Sequence, residues 1–232
     1  MQITATSAEL IQLGIALLLS GALSGLLAGI FGIGGGAVIV PVLYQALVYL
    51  GVDDSVRMHI AVGTSLAIIV PTSLRSFLSH KRRGAVDMAL FRSLIIPVPI
   101  GVIAATIVAA SISGGALRGI FAVIALGVAL KLIFHREGWQ LGADIPGNPS
   151  RSIVGALIGF LSTLMGIGGG IINNTYMTLY GRPIHQAVAT SSGVGVLISI
   201  PGMLGYVWAG WGNPLLPPFS LGFVNLVGVL IV

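Results

Sequence analysis

Gly32-Ile33-Gly34-Gly35-Gly36 and Gly166-Ile167-Gly168-Gly169-Gly170 are the same five-residue string, each set inside an uncharged apolar run. Each copy is followed by a second matching string: Ala-Val-Gly-Thr-Ser at Ala61–Ser65 and Ala-Val-Ala-Thr-Ser at Ala187–Ser191. A histidine stands two residues before each leading alanine, at His59 and His185. The copies are offset by 134 residues at the glycines and by 126 at the Thr-Ser pairs, so the chain reads as a duplicated unit with a shorter connection in its second copy. Each glycine weakens a helix by up to ~1 kcal/mol relative to alanine. Three in a row therefore predict unwound backbone at both places. Duplicated apolar segments with breaks in corresponding positions are the sequence pointer to a transporter's binding site.

Hydrophobic residues form 56% of the 232, charged residues only 7%, and mean hydropathy is +1.05. A water-soluble domain carries roughly a quarter charged residues. Too few charges remain to cover a wetted surface, so lipid is the solvent for most of this chain. Residues 10–52, 152–181 and 183–232 contain no charge at all, and a span needs only about 20 apolar residues. The reading is an all-α polytopic transmembrane bundle with glycine-broken helices. The net charge of +5 then belongs to basic loops that fix topology, not to nucleic-acid binding. Cysteine is absent, which excludes disulfides and thiolate metal sites.

The first unit, 1–134, divides into apolar pieces Leu10–Ile30, Ala37–Leu50, Met58–Leu78, Met88–Ile112 and Ala116–Phe134. A linker follows over 135–151. The second unit, 152–232, offers Ile153–Met165, Ile171–Tyr180, Ala187–Ala209 and Phe219–Val232. The Lys81–Arg83 loop marks the cytoplasmic side, and Lys131, Arg136 and Arg151 return to it two spans later. Five segments in the first unit, an odd number, make the two units inverted repeats. Ile171–Tyr180 spans only roughly 15 Å as a helix and reads equally as half of a re-entrant hairpin, which would change that parity. Only 62 residues follow Gly170, so the second unit is expected to be incomplete at its C-terminal end.

Unwound backbone at membrane depth must line protein or a wet cavity. Freed N–H groups at the start of the next half-helix make an anion nest. The expected binding residues are therefore Gly34, Gly35, Gly36, Gly168, Gly169 and Gly170, with hydroxyls from Thr64, Ser65, Thr190 and Ser191. Asn173 and Asn174 either line the cavity or cap a neighbouring helix. Gly21, Gly25 and Gly29 have the spacing of simple close helix packing. His59 and His185 lie near predicted span ends and are expected to anchor at the interface; Arg75 can snorkel to the basic loop. All six acidic residues, Glu9, Asp53, Asp54, Asp87, Glu137 and Asp144, fall at predicted ends or loops. A carboxylate proton relay or sodium site therefore has no support. No catalytic constellation, metal-ligand spacing or nucleotide loop is present, so neither an enzyme nor a cofactor is expected.

The paired strings, with Pro41 five residues after the first triple glycine, resemble the sulfite exporter TauE/SafE family of integral membrane proteins over nearly the whole chain. The resemblance implies a multi-pass cell-membrane transporter, in the bacterial inner membrane, that moves sulfite, organosulfonates or related sulfur anions. It also implies that the glycine-rich and Thr-Ser segments of both halves build the path. Thr175 stands where the first half has Pro41, preceded by Asn173 and Asn174, so the substrate could differ from sulfite. The expected partners are a small anion and membrane lipid, with a homo-oligomer left open. Two rival classes remain at this point, a passive anion channel and a non-transporting membrane scaffold.

Overall fold

A computed structural model describes residues 35–133, 140–142 and 144–232, together with positions 15, 18, 19, 21 and 22. Gly34 and most of the expected Leu10–Ile30 span lie outside the described residues.

Nine helices follow in order among the described residues: α1 (Gly36–Tyr49), α2 (Asp54–Arg82), α3 (Met88–Leu94), α4 (Pro97–Ser111), α5 (Gly114–Ile133), α6 (Ser150–Met165), α7 (Gly170–Leu179), α8 (Ile184–Ala209) and α9 (Leu226–Ile231). Three of them, α2, α5 and α8, are long and apolar enough to cross a membrane, and the bent pair α3–α4 makes a fourth. The chain is a multi-pass membrane protein.

Local chemistry sets the element boundaries. Asp53 caps α2 by accepting from Ser55 N at 2.9 Å, and its bonds from the Ser55 hydroxyl and N–H hold the carboxyl below the usual aspartate range. Asp87 caps α3 through Leu90 N at 3.0 Å, and Asn225 caps α9 through Gly228 N at 2.9 Å. Each satisfies one of the orphan N–H groups that every helix start leaves. The expected single span over Met88–Ile112 is instead two helices meeting at 41°. Pro97 begins the second of them, and proline cannot continue the hydrogen-bond ladder of the helix before it.

The expected helix over Phe219–Val232 is also revised. Ser220–Leu221 pairs antiparallel with Val224–Asn225, and α9 starts only at Leu226. The fold is thus nearly, not wholly, α-helical. The hairpin turns at Gly222, whose φ of +53° suits a residue without Cβ. A Cβ there would stand 2.0 Å from the carbonyl oxygen of Val207.

α2 and α8 form the largest helix contact, with α4 packed on α6 and on α8. The α4–α6 contact uses missing side chains. A Cβ on Gly101 would meet Ala156 O at 1.9 Å, and one on Gly159 would meet Val98 O at 2.2 Å. Backbones in lipid approach this closely only where residues are small. By contrast α5 is 11% buried over its apolar window, against 61% for α2, so α5 is the helix most given to lipid. Gly101→Leu should therefore abolish folded protein, read as a monodisperse peak in detergent, while Gly127→Leu on α5 leaves it intact, since nothing lies within 4 Å of a Cβ there.

The two glycine-initiated half-helices end at opposite ends of the molecule. The C-terminal part of α1 lies beside the start of α2, where Tyr44 Oη donates to Asp54 Oδ1 at 3.0 Å and Arg118 of α5 reaches the same carboxylate at 3.4 Å. The end of α7 lies at the other end. Leu179 O accepts from Leu141 N at 2.8 Å, and Arg182 contacts Asp144 at 2.8 Å and Asp87, beyond the end of α2, at 3.9 Å. Because Asp144 precedes α6, the α6–break–α7 unit enters and leaves at the same end.

Candidate functional site

The second glycine string is an open break. Gly166 stops α6 in the left-handed region at φ +66°, and the turn closes with Ile167 N donating to Ser162 O at 2.9 Å and Gly166 N to Thr163 O at 3.2 Å. That is the Schellman arrangement, which glycine permits because it has no Cβ. Gly169 is again left-handed at φ +73°, and Gly170 begins α7. Residues 166–169 are thus unwound. In the first string Gly35 is already right-handed at the helix boundary and Gly36 is wound into α1. The expectation of three unwound glycines fails for Gly36 and Gly170, which take helical positions, because a following apolar helix recruits its nearest glycine at little cost.

The two strings touch. A Cβ on Gly36 would stand 2.1 Å from Gly166 O and 2.9 Å from Ile167 Cα, so backbone lies directly on backbone. Ser65, fully buried, donates its hydroxyl to the same Gly166 carbonyl at 2.8 Å. That oxygen, left without its helix partner by the break, is satisfied from the other half of the chain.

The remaining Thr-Ser residues also bond across the halves or across helices. Thr64 Oγ1 accepts from Asn225 N at 2.9 Å, and Thr190 Oγ1 accepts from Asp87 N at 2.9 Å. Asp87 and Asn225 are the caps of α3 and α9, so each threonine of one half holds the cap of a short helix in the other. Ser191 Oγ donates to Asn174 Oδ1 at 2.6 Å and accepts from Asn173 Nδ2 at 2.7 Å. In this arrangement the protons of Ser65 and Ser191 are already committed to protein acceptors.

A cavity of about 380 Å³ lies where the halves meet, within the size range of small-molecule sites. Gly35, Gly168, Gly170 and Ser191 line it. Gly36, Thr64, Ser65, Gly169, Asn173, Asn174 and Thr190 stand outside its lining; the two asparagines connect to it through Ser191. Thr72, Ser73, Ser76 and His80 of α2 and Ser192 and Gly195 of α8 also line it. Those residues were not among the expected ones, yet three of them had a signal: Thr72, Ser76 and His80 recur every four residues along one face of α2.

Among the described residues no carboxylate lines the cavity. Gly35 and Gly169, the residues before α1 and α7, supply no side-chain cap, and neither helix has an acid in its first turn. Val38 N and Ile39 N donate to Gly35 O at 3.1 and 3.0 Å and Asn173 N to Gly169 O at 2.9 Å, while the N–H groups of Gly36, Ala37, Gly170, Ile171 and Ile172 precede any intrahelical acceptor. His59 differs from its expected interfacial place. It is buried at 4% exposure, bonds Ala109 O through Nε2 at 3.0 Å and stacks on Phe223 at 4.9 Å. His185 stands exposed at the start of α8.

Membrane-crossing helices around a cavity where glycine-broken half-helices meet define the transporter class of multi-pass membrane protein. The family model for the sulfite exporter TauE/SafE proteins matches residues 17–231, and the chain belongs to that family. A protein of Haemophilus influenzae named "Probable membrane transporter protein" is 38% identical over 213 residues, covering 92% of this chain and 81% of the relative. Relatives described in the same words occur in Methanocaldococcus jannaschii, 28% identical with 93% and 79% covered, and in Bacillus subtilis, 27% identical with 85% and 79% covered. No solved structure matches the chain.

Proposed function

We propose that this protein is a secondary transporter or facilitator that carries a small sulfur-containing anion, such as sulfite or a sulfonate, across the cell membrane. The observation that carries the reading is the meeting of two half-helix starts without side-chain caps at one cavity that, among the described residues, no carboxylate lines. Each helix N-terminus is equivalent to about +0.5 elementary charge. Two of them supply roughly one positive charge without a buried cation, which suits a small oxyanion and repels sodium.

The same reading takes 1–134 and 152–232 as inverted repeats about the 135–151 linker. With the glycine hairpin of each unit counted as re-entrant, the first unit keeps three crossings, α2, α3–α4 and α5, still an odd number. The reading is supported by α1 and α7, which start together near the centre and end at opposite ends of the molecule. It is supported again by the reciprocal cap contacts, Thr64 with Asn225 and Thr190 with Asp87. Transport then proceeds by alternating access, with these neutral contacts exchanging as the halves rock. Neutral hydrogen bonds of this kind contribute about 1 kcal/mol net each, weak enough to break and re-form in every cycle.

The decisive experiment is radiolabelled sulfite, thiosulfate, sulfate and sulfoacetate flux into proteoliposomes. Saturable, mutually competitive uptake of the sulfur anions is the expected result. Non-saturating flux would replace the carrier with a channel, and absence of flux for every anion would remove the transport reading. Ser65→Ala leaves the Gly166 carbonyl orphaned and Ser191→Ala disconnects the two asparagines. Each is expected to reduce uptake at least about tenfold: Ser65→Ala because an orphaned buried group costs roughly 1–3 kcal/mol, Ser191→Ala because it alters the wall of the cavity that Ser191 lines. Wild-type uptake by both variants would move the site elsewhere.

A further inference from the structure

A second concavity, of about 310 Å³, lies on the last turns of α2 and is lined by Arg75, Leu78, Ser79, Arg82 and Arg83. We propose that it binds the phosphate headgroup of an anionic membrane lipid. The residues follow the spacing i, i+3, i+4, i+7 and i+8, a single stripe along one helix face. Basic residues at a helix C-terminus ordinarily balance its partial charge of about −0.5. Three guanidinium groups in one groove exceed that several-fold. Among the described residues none of the three has a carboxylate partner, so the excess charge faces outward uncompensated. Guanidinium groups pair bidentately with phosphate oxygens.

Two observations favour a lipid over a free anion. Leu78, which lines the groove, and Leu74, one turn before it on α2, are exposed at 44% and 41%, apolar surface that acyl chains would cover and a soluble anion would not use. The stripe also lies about 100° round α2 from Thr72, Ser76 and His80, the residues that face the central cavity. A headgroup here sits on the outer face of the bundle, away from the proposed transport path.

The full chain, purified in detergent, is titrated with phosphatidylglycerol and with phosphatidylcholine and read by native mass spectrometry. Phosphatidylglycerol should bind at least about tenfold more tightly. Each basic residue near an anionic headgroup is worth roughly fivefold in affinity, so Arg75→Gln/Arg82→Gln/Arg83→Gln should weaken binding about a hundredfold. Lys81→Gln/Arg92→Gln removes exposed charges outside the groove and should leave binding unchanged. Millimolar inorganic phosphate should not displace the lipid. Equal binding of the two lipids, unchanged binding by the triple variant, or an equal loss in the Lys81/Arg92 control overturns the proposal. Displacement by phosphate also overturns it and makes the groove a free-anion site. Should the triple variant not yield folded protein, the single arginine variants must each lose about fivefold; no loss in any of them is equally fatal.

Discussion

Gly36→Val should eliminate both the folded state and transport. The added Cβ would lie 2.1 Å from Gly166 O and 2.9 Å from Ile167 Cα, well inside van der Waals contact. Overpacking against a mobile side chain costs about 1–3 kcal/mol because the neighbour can change rotamer. Here the obstacle is backbone, and it is backbone already fixed by the Ser65 bond and by the closure of α6. Relief would require α1 to withdraw from the second glycine string and the cavity between them to change shape. A loss above about 3 kcal/mol is expected, seen as aggregation during size-exclusion chromatography or a large drop in thermal midpoint. Gly119→Ala is the matched control. It lies on exposed α5 with nothing within 4 Å, and it should be neutral or stabilising by up to about 1 kcal/mol through helix propensity. A stable, active Gly36→Val protein would mean that the two strings do not touch.

Gly166→Ala is expected to have the next largest effect, through two separable causes. The first is conformational: φ is +66°, a region that costs an L-residue roughly 1–2 kcal/mol. The second is steric, since the Cβ would stand 3.1 Å from Val62 Cα and 2.9 Å from Val40 Cγ2. Gly84→Ala isolates the first cause. Gly84 has nearly the same φ, +67°, but no atom within 4 Å of a Cβ. The difference in thermal stability between the two variants then reports packing at the junction of the halves. Gly166→Ala should lose clearly more than Gly84→Ala and should also lose anion uptake, whereas Gly84→Ala transports normally. Equal losses would assign the whole effect to turn conformation and leave the junction without a role.

These outcomes depend on features of unequal visibility in the sequence. Glycine strings in apolar surroundings announce a helix break because propensity acts locally, within one turn. The stop of α6 at Met165 followed from that. What the string could not reveal is which of its glycines rejoins the next helix. The kink at Pro97 was open to the same local logic, since proline ends a ladder wherever it falls. The Ser220–Asn225 hairpin was not, because its strands are two residues each and their apolar content matches that of a helix. The polar stripe Thr72, Ser76, His80 was legible in principle. The duplicated strings are the stronger signal, and they point to Thr64 and Thr190, residues that bond helix caps.

By itself the amino-acid sequence determined the solvent, the duplication and the places where helices must yield. Those follow from composition and from propensities that operate over a few residues. Only the tertiary structure decided which groups answer one another: Gly36 against Gly166, Ser65 to the Gly166 carbonyl, Thr64 to Asn225 and Thr190 to Asp87. Those partners lie more than a hundred residues apart, and a hydroxyl within a membrane helix has a carbonyl of its own helix always at hand. Which acceptor or donor it takes is settled by how closely the two halves approach, and that distance is set by glycines whose missing side chains matter only once another backbone arrives.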